Sequence, residues 1–225
     1  MFGMELPENF DSPYKALNVV DFWNRWHRTL TRFFRQYVYF PLGGSRKGTV
    51  RTYANIFIVF LLSGVWHGAG YTFIVWGVLH GLANILCRAF RKYLDKVPKA
   101  VNWLLCFSFL NVTWVVFRAD SLSQAVTLLR RLFAGGTALS EELLAALRPN
   151  LVHDTLQNLR LPQPALLYCA LLLLGTLLLS TCCRNTQTRA AAWKPNARTC
   201  LAVTALLSLS ILSLAGVHTF LYFNF

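Results

Sequence analysis

Residues 52–88 read TYANIFIVFLLSGVWHGAGYTFIVWGVLHGLANILCR, two apolar runs on either side of Ser63-Gly64-Val65-Trp66-His67-Gly68-Ala69-Gly70. Arg46, Lys47 and Arg51 precede this region, and Arg88, Arg91, Lys92, Lys96 and Lys99 follow it. Lys and Arg concentrate in cytoplasmic loops of membrane proteins, so both ends of the region belong on the cytoplasmic side and the region is a hairpin. Its first arm, read as Thr52 to Trp66, reaches only about 22 Å at about 1.5 Å per residue. The hydrocarbon core of a bilayer is about 30 Å thick. The apex is therefore expected to end inside the membrane, where irregular backbone persists only if buried in protein or lining a water-filled cavity. That expectation marks a site.

The rest of the chain agrees with a membrane setting. Of its 225 residues 55% are apolar and 14% charged, against roughly 45–50% and 25% in soluble domains. That composition excludes a disordered chain and leaves too little polar surface for a soluble globule. The formal charge is +13, but the basic residues lie mostly in short loops beside apolar runs, so no nucleic-acid partner is expected. Three further spans are predicted at 101–117, 165–183 and 199–217, each near the required length of about 20 residues. Arg184, Arg189, Lys194 and Arg198 separate the last two spans and put that loop on the cytoplasmic side. The connection 118–164 then falls outside. In it Leu122, Ala125, Val126, Leu129 and Leu132 share a helix face after Asp120 or Ser121 as cap, and Ser140-Glu141-Glu142 opens a shorter helix. The six cysteines show no metal-ligand spacing and read as small buried hydrophobes.

Ahead of the hairpin, residues 19–37 form one amphipathic pattern after an irregular polar lead-in. Trp23, Trp26, Leu30, Phe33 and Tyr37 make one stripe, and Arg25, Arg28, Arg32 and Arg35 run along the opposite face. A helix so divided suits the membrane interface, with His27 at the edge between the stripes. Pro41, Gly43 and Gly44 end it.

Chemistry concentrates in the histidines. His67, at the hairpin apex, is an ionisable residue at membrane depth and hence a candidate site residue. A neutral imidazole there can take a hydroxyl proton and return it to a leaving group; the other reading is a histidine that closes the turn on a carbonyl. His80, Asn84 and Arg88 share a face of the second arm, where polar packing explains them, and Gly77-x-x-x-Gly81 permits close helix approach. His27 reads as interfacial on spacing alone. No Asp or Glu falls within a predicted span, and neither a phosphate-binding G-x-x-x-x-G-K-[ST] nor a G-x-S-x-G elbow is present, which argues against a proton relay, an ATPase or a serine hydrolase.

Asp21-Phe22-Trp23-Asn24-Arg25-Trp26-His27, Tyr39-Phe40-Pro41-Leu42-Gly43-Gly44-Ser45-Arg46-Lys47-Gly48 and Phe60-Leu61-Leu62-Ser63-Gly64-Val65-Trp66-His67-Gly68 resemble the membrane-bound O-acyltransferase family, in the bacterial branch that O-acetylates alginate and D-alanylates teichoic acid. Leu79-His80-Gly81, Trp114-Val115-Val116-Phe117-Arg118-Ala119 and Phe220-Leu221-Tyr222-Phe223-Asn224-Phe225 are similar too. The resemblance implies an all-α integral membrane protein, a multi-span bundle with an interfacial helix and a short intramembrane hairpin carrying the active-site His. It implies acyl transfer, such as acetylation, from a cytoplasmic thioester (acetyl-CoA or an acyl carrier, as co-substrate) to a hydroxyl of an extracellular polysaccharide such as alginate, with no bound cofactor and no metal. The catalytic histidine maps onto His67 and the helper onto His27, which in the family line a tunnel through a thinned part of the membrane. Trp66, Arg25 and Asn24 are the expected substrate-binding residues. The setting implied is the bacterial cytoplasmic (inner) membrane, with an extracytoplasmic acyltransferase partner and the lipid bilayer.

Members of the family are roughly twice as long, so residue 1 is expected to fall in mid-protein. The chain then corresponds to a carboxy-terminal half, with the amino-terminal half as a partner, and is expected to be inactive alone. A non-catalytic scaffold or acyl conduit, or an inactive truncated fragment, is the alternative.

The charge pattern makes a direct prediction of sidedness. In a cysteine-free background, Lys47→Cys, Lys96→Cys and Lys194→Cys should react with an impermeant thiol reagent only from the cytoplasmic side, and Ser140→Cys only from outside. Labelling of positions 96 and 140 from one side would break the span between them and the hairpin assignment with it.

Overall fold

A computed structural model describes residues 7–134, 164–192 and 196–213. The chain divides into two units, 1–136 and 137–225, which are taken separately. The described residues are helical with no strand, as expected of an all-α membrane protein. Among the described residues three helices are long and apolar enough to cross a membrane: Thr49–His67, Tyr71–Ala89 and Lys99–Arg118.

The interfacial pattern 19–37 is not one helix. It divides into α1 (Val19–Arg25) and α2 (Arg28–Phe34), and α2 runs into a π-helical turn, Arg35–Tyr39. At the break Trp26 is extended and His27 is left-handed, with φ 46° and ψ 52°. The cause lies in the polar lead-in. The Asp11 N–H donates to the Arg25 carbonyl (2.9 Å) and the Arg28 N–H to the Asn9 carbonyl (2.9 Å). The Asn9 side-chain oxygen accepts from the Thr29 N–H (3.1 Å) and hydroxyl (2.8 Å). A helix start leaves backbone donors unpaired, and here a distant asparagine takes the place of a local cap. The break also separates the aromatic stripe: Trp23 is buried, whereas Phe33 and Tyr37 stay exposed.

The hairpin is present as α3 (Thr49–His67) and α4 (Tyr71–Ala89). Its first arm is longer than the sequence pattern indicates. At 19 residues it reaches about 28 Å, close to the hydrocarbon thickness. Ser63–His67 continue the helix, and the turn is confined to residues 68–70. Gly64 does not break α3 because its missing side chain serves packing: a Cβ there would strike the Phe73 carbonyl of α4. Opposite it, a Cβ on Gly77 would lie 2.5 Å from the Phe60 carbonyl and 3.3 Å from the Gly64 Cα. The Gly77/Gly81 face is thus covered by α3 of the same chain.

After a short turn α5 (Arg91–Leu94), α6 (Lys99–Arg118) crosses α4. Phe22, Trp23, Ile56, Phe60, Trp76, Cys106 and Leu110 form the core among α1, α3, α4 and α6. Asn55 of α3 is fully buried and its amide donates to the Gly44 carbonyl (2.9 Å), which fixes the Pro-Leu-Gly-Gly loop. The amphipathic α7 (Leu122–Ala134) follows; Ser121 caps it, accepting from the Gln124 N–H at 3.2 Å, and Ala125 is buried against Val116 and Ala119.

In the second unit, α8 (Pro164–Cys182), α9 (Thr186–Ala191) and α10 (Ala197–Ser213) are described. They overlap the predicted spans 165–183 and 199–217; the end of the latter, and the helix expected from Ser140, lie outside the described residues.

The Gly64/Gly77 contact yields a stability prediction. Gly77→Ala should destabilise the purified protein by about 1–3 kcal/mol, the usual cost of overpacking a filled interface, seen as a lower thermal unfolding midpoint. Gly175→Ala, where an added Cβ meets nothing within 4 Å, should leave the midpoint unchanged or raise it.

Candidate histidine site

His67 is the last helical residue of α3. Its imidazole is half-buried among the rings of Trp66, Trp76 and Phe117, with centroids 4.9, 5.3 and 5.1 Å away and nearly perpendicular planes. These edge-to-face contacts fix the ring without using its nitrogens. Among the described residues none hydrogen-bonds that imidazole. The turn is closed by backbone instead: the Gly68 N–H donates to the Val65 carbonyl (3.2 Å) and the Phe73 N–H to the Gly70 carbonyl (3.1 Å). A turn-closing role for His67 therefore has no support in the geometry.

Trp66 stands between the two predicted histidines, its ring 4.9 Å from His67 and 6.4 Å from His27. His27 also touches Phe10 at 6.0 Å. Its left-handed backbone is uncommon for a residue other than glycine, although histidine enters that region more readily than most, and such positions cluster at functional sites. Its Nδ1 is buried with no hydrogen-bond partner among the described residues. Burial pushes the His27 imidazole below its ordinary value of 6.5, and a hydrogen bond involving its own backbone pulls the other way without cancelling the effect. Burial thus favours the neutral form of His27, whose Nδ1 has no described hydrogen-bond partner.

His80 differs in burial and in hydrogen bonding. It is 2% exposed. The Trp23 indole Nε1–H donates to its Nδ1 at 3.1 Å, and its Nε2 lies 3.1 Å from Thr113 Oγ1. An indole nitrogen only donates, so Nδ1 must accept and the proton sits on Nε2, donating to Thr113. The Thr113 hydroxyl passes its own hydrogen to the Leu110 carbonyl at 2.9 Å. The polar-packing reading of His80 holds: it joins α1, α4 and α6 with both nitrogens occupied.

Asn24 and Arg25 fall elsewhere. The Arg25 guanidinium is held by Asp21 (2.8 Å) and the Asp11 carbonyl (3.3 Å). It serves as a brace for the lead-in, a role legible in the i,i+4 spacing of Asp21 and Arg25. Asn24 is exposed and lines a cavity of about 320 Å³ with Trp23, Arg35, Phe60, Asn84 and Arg88. A smaller cavity of about 40 Å³ shares Trp23, Thr31, Val59 and Phe60 with it and extends to Ser63, one turn before His67. The sequence pattern did not single out Trp76 as a site residue. Its indole nitrogen, and that of Trp114, are buried without a hydrogen-bond partner among the described residues. Their tryptophan identity was the only available signal.

These features define a class: all-α membrane proteins with an aromatic-walled histidine at the end of a hairpin arm. The comparisons narrow it. The family model described as MBOAT, membrane-bound O-acyltransferase family, matches residues 1–122, and the chain belongs to that family. It is 39% identical over 237 residues to the peptidoglycan O-acetyltransferase of Helicobacter pylori, a match covering 100% of this chain and 44% of the relative. It is 42% identical over 139 residues to the probable alginate O-acetylase AlgI of Pseudomonas putida, covering 60% and 28%. With the teichoic acid D-alanyltransferase of Bacillus subtilis it shares 36% over 111 residues, covering 46% and 27%. The chain spans less than half the length of these relatives.

The burial of His27 gives a pH prediction. In protein carrying 13C-labelled histidine, the resonance assigned by its loss in His27→Gln should titrate with a midpoint below 6.5, because burial disfavours the imidazolium. A midpoint at or above 6.5 would show that burial does not govern this ring.

Proposed function

We propose that this chain carries the histidine centre of an O-acyltransferase, which moves an acetyl group from a cytoplasmic thioester to a hydroxyl of an extracytoplasmic glycan. The observation that carries the reading is the unpaired imidazole of His67, clamped by three aromatic rings and flanked across Trp66 by the buried, unpaired Nδ1 of His27. The family and the names of its relatives support acyl transfer as the chemistry.

In this reading neutral His67 takes the proton of the acceptor hydroxyl as its oxygen attacks the thioester carbonyl. The C–O bond forms, the C–S bond breaks, and the proton returns to the departing thiolate. His27 hydrogen-bonds the acceptor or the donor carbonyl, and Trp66 forms a wall common to both histidines. The match to the peptidoglycan enzyme covers the whole chain, whereas the match to the alginate enzyme covers 60% of it. That difference favours a cell-wall glycan over alginate as acceptor. The length of the relatives supports a working unit that includes further helices ahead of the matched part, in the bacterial cytoplasmic membrane, with an extracytoplasmic acyltransferase completing delivery.

The test places this chain with the amino-terminal helices of a full-length relative, expressed as a separate chain, and measures acetyl transfer in membranes. His67→Ala should reduce the rate by at least the roughly 10²–10⁴-fold that general bases contribute, at unchanged membrane level. His27→Ala should cause a smaller loss, and His27→Asn should retain more activity because an amide still hydrogen-bonds. The chain expressed alone should show no transfer. Activity of His67→Ala within a few-fold of wild type would leave the chain a scaffold or conduit.

A further inference from the structure

We infer that the cavity between the α1–α2 segment and the hairpin is an anion site, in which Arg35 and Arg88 hold the phosphate of an ester whose uncharged chain lies on the apolar floor. The lining divides by chemistry. Arg35, Arg88, Asn24 and Asn84 supply the polar groups, Val20, Ile56, Val59 and Phe60 supply apolar surface, and no Asp or Glu is among the lining residues. At about 320 Å³ it has room for a phosphate and a short slender chain, at the low end of known ligand pockets.

Neither arginine is in an ion pair among the described residues; the acids Asp21, Glu8 and Asp95 are taken by Arg25, Arg28 and Arg91. Arg88 is nevertheless held in place. Its Nε donates to Asn84 Oδ1 at 2.8 Å, and Asn84 is itself 4% exposed. That bond uses the Nε edge and leaves the far side of the guanidinium, with its Nη donors, for a ligand. An arginine fork matches phosphate oxygens in geometry as well as charge.

The π-helical turn explains how Tyr39 comes to face the cavity together with Arg35. Thr31, Arg35 and Tyr39 all line the cavity, at spacings of four and four. In an α-helix each such step overshoots a full turn by roughly 40° at about 100° per residue, so the third residue would swing off the line. Between Arg35 and Tyr39 the helix closes on i→i+5 bonds, with the Phe40 N–H donating to the Arg35 carbonyl at 3.0 Å. The wider turn takes up the overshoot and returns Tyr39 to the line of Thr31 and Arg35. Single π turns of this kind recur at functional sites.

The shared chemistry, a phosphate ester on an uncharged chain, belongs both to soluble pantetheine-type esters and to anionic phospholipids. Which one is physiological rests on the acyl-transfer reading; the binding test does not, since it requires no turnover. The purified full chain in detergent is titrated with 4′-phosphopantetheine and with pantetheine, which lacks only the phosphate. The phosphorylated probe should bind at least tenfold more tightly. Arg35→Gln and Arg88→Gln should each weaken it about tenfold or more, Arg35→Lys should lose less, and Lys92→Gln should have no effect. In wild-type protein the same probe should protect Arg35 and Arg88, seen by peptide mass spectrometry, from phenylglyoxal.

In parallel, native mass spectrometry after extraction reports retained lipid. An anionic phospholipid kept by wild type and lost from Arg35→Gln and Arg88→Gln, without phosphopantetheine binding, supports the anion site with lipid as its source. If neither ligand depends on Arg35 or Arg88, and neither arginine is protected, the inference is overturned while the His67 chemistry stands untouched.

Discussion

The hydrogen bond from the Trp23 indole to His80 is the interaction on which the site's arrangement depends. It crosses 57 positions of sequence and is fully buried. A buried donor left without its acceptor costs about 1–3 kcal/mol, so α1 has one seat on the hairpin and a penalty for leaving it. Thr113 continues the chain of bonds to α6, so one histidine sets three helices relative to one another. The Trp76 ring packs against His80 (4.6 Å), Trp23 (5.7 Å) and His67 (5.3 Å), which carries that placement to the hairpin's end. The close glycine contact of α3 and α4 is the other half of the scaffold. Together they make the relative position of the α1 end and the α3 end a rigid feature.

The break at Trp26-His27 lies just beyond that seat and is held by the lead-in. With Trp23 held in the core, an uninterrupted helix would carry residues 27–37 onward along the axis of α1. The lead-in prevents this by offering Asn9 and Asp11 as partners for the helix ends the break exposes. His27 bears the strain of the corner and faces Trp66. The π turn after α2 and the Pro-Leu-Gly-Gly loop pinned by Asn55 then lead the chain back to Thr49.

Much of this was legible in the sequence, and the limit has a physical form. Periodicity and charge gave the hairpin, the apolar helices and a cap of α7 at Asp120 or Ser121, because each depends on residues within a few positions. The corner at His27 was not legible, since its cause is a hydrogen bond that Thr29 donates to Asn9, 20 positions away. Gly64 gave no sign of its packing role, because a glycine that breaks a helix and one that lets another backbone approach are the same letter. His67 stood out by its place at the apex. Two of the three aromatic walls that hold it, Trp76 and Phe117, come from α4 and α6, and tryptophan and phenylalanine in membrane helices give no sign of which ring they will meet.

The contrast between His67 and His80 separates structure from chemistry within one hairpin. Both lie in helices of similar composition, and both are surrounded by aromatic rings. His80 has each nitrogen committed, with a tautomer dictated by its indole donor, so it has no proton to exchange without breaking a buried network. His67 is held by ring edges alone and has no described hydrogen-bond partner. A general base must keep its acceptor nitrogen free until substrate arrives, which is costly where water is scarce unless something else fixes the ring. Perpendicular aromatic contacts solve that problem: they restrict the imidazole's orientation while leaving its lone pair unused. The same division recurs at His27, whose backbone is fixed by the corner and whose buried Nδ1 has no described hydrogen-bond partner. The fold thus spends its polar satisfaction on the histidine that builds and withholds it from the two that face each other across Trp66.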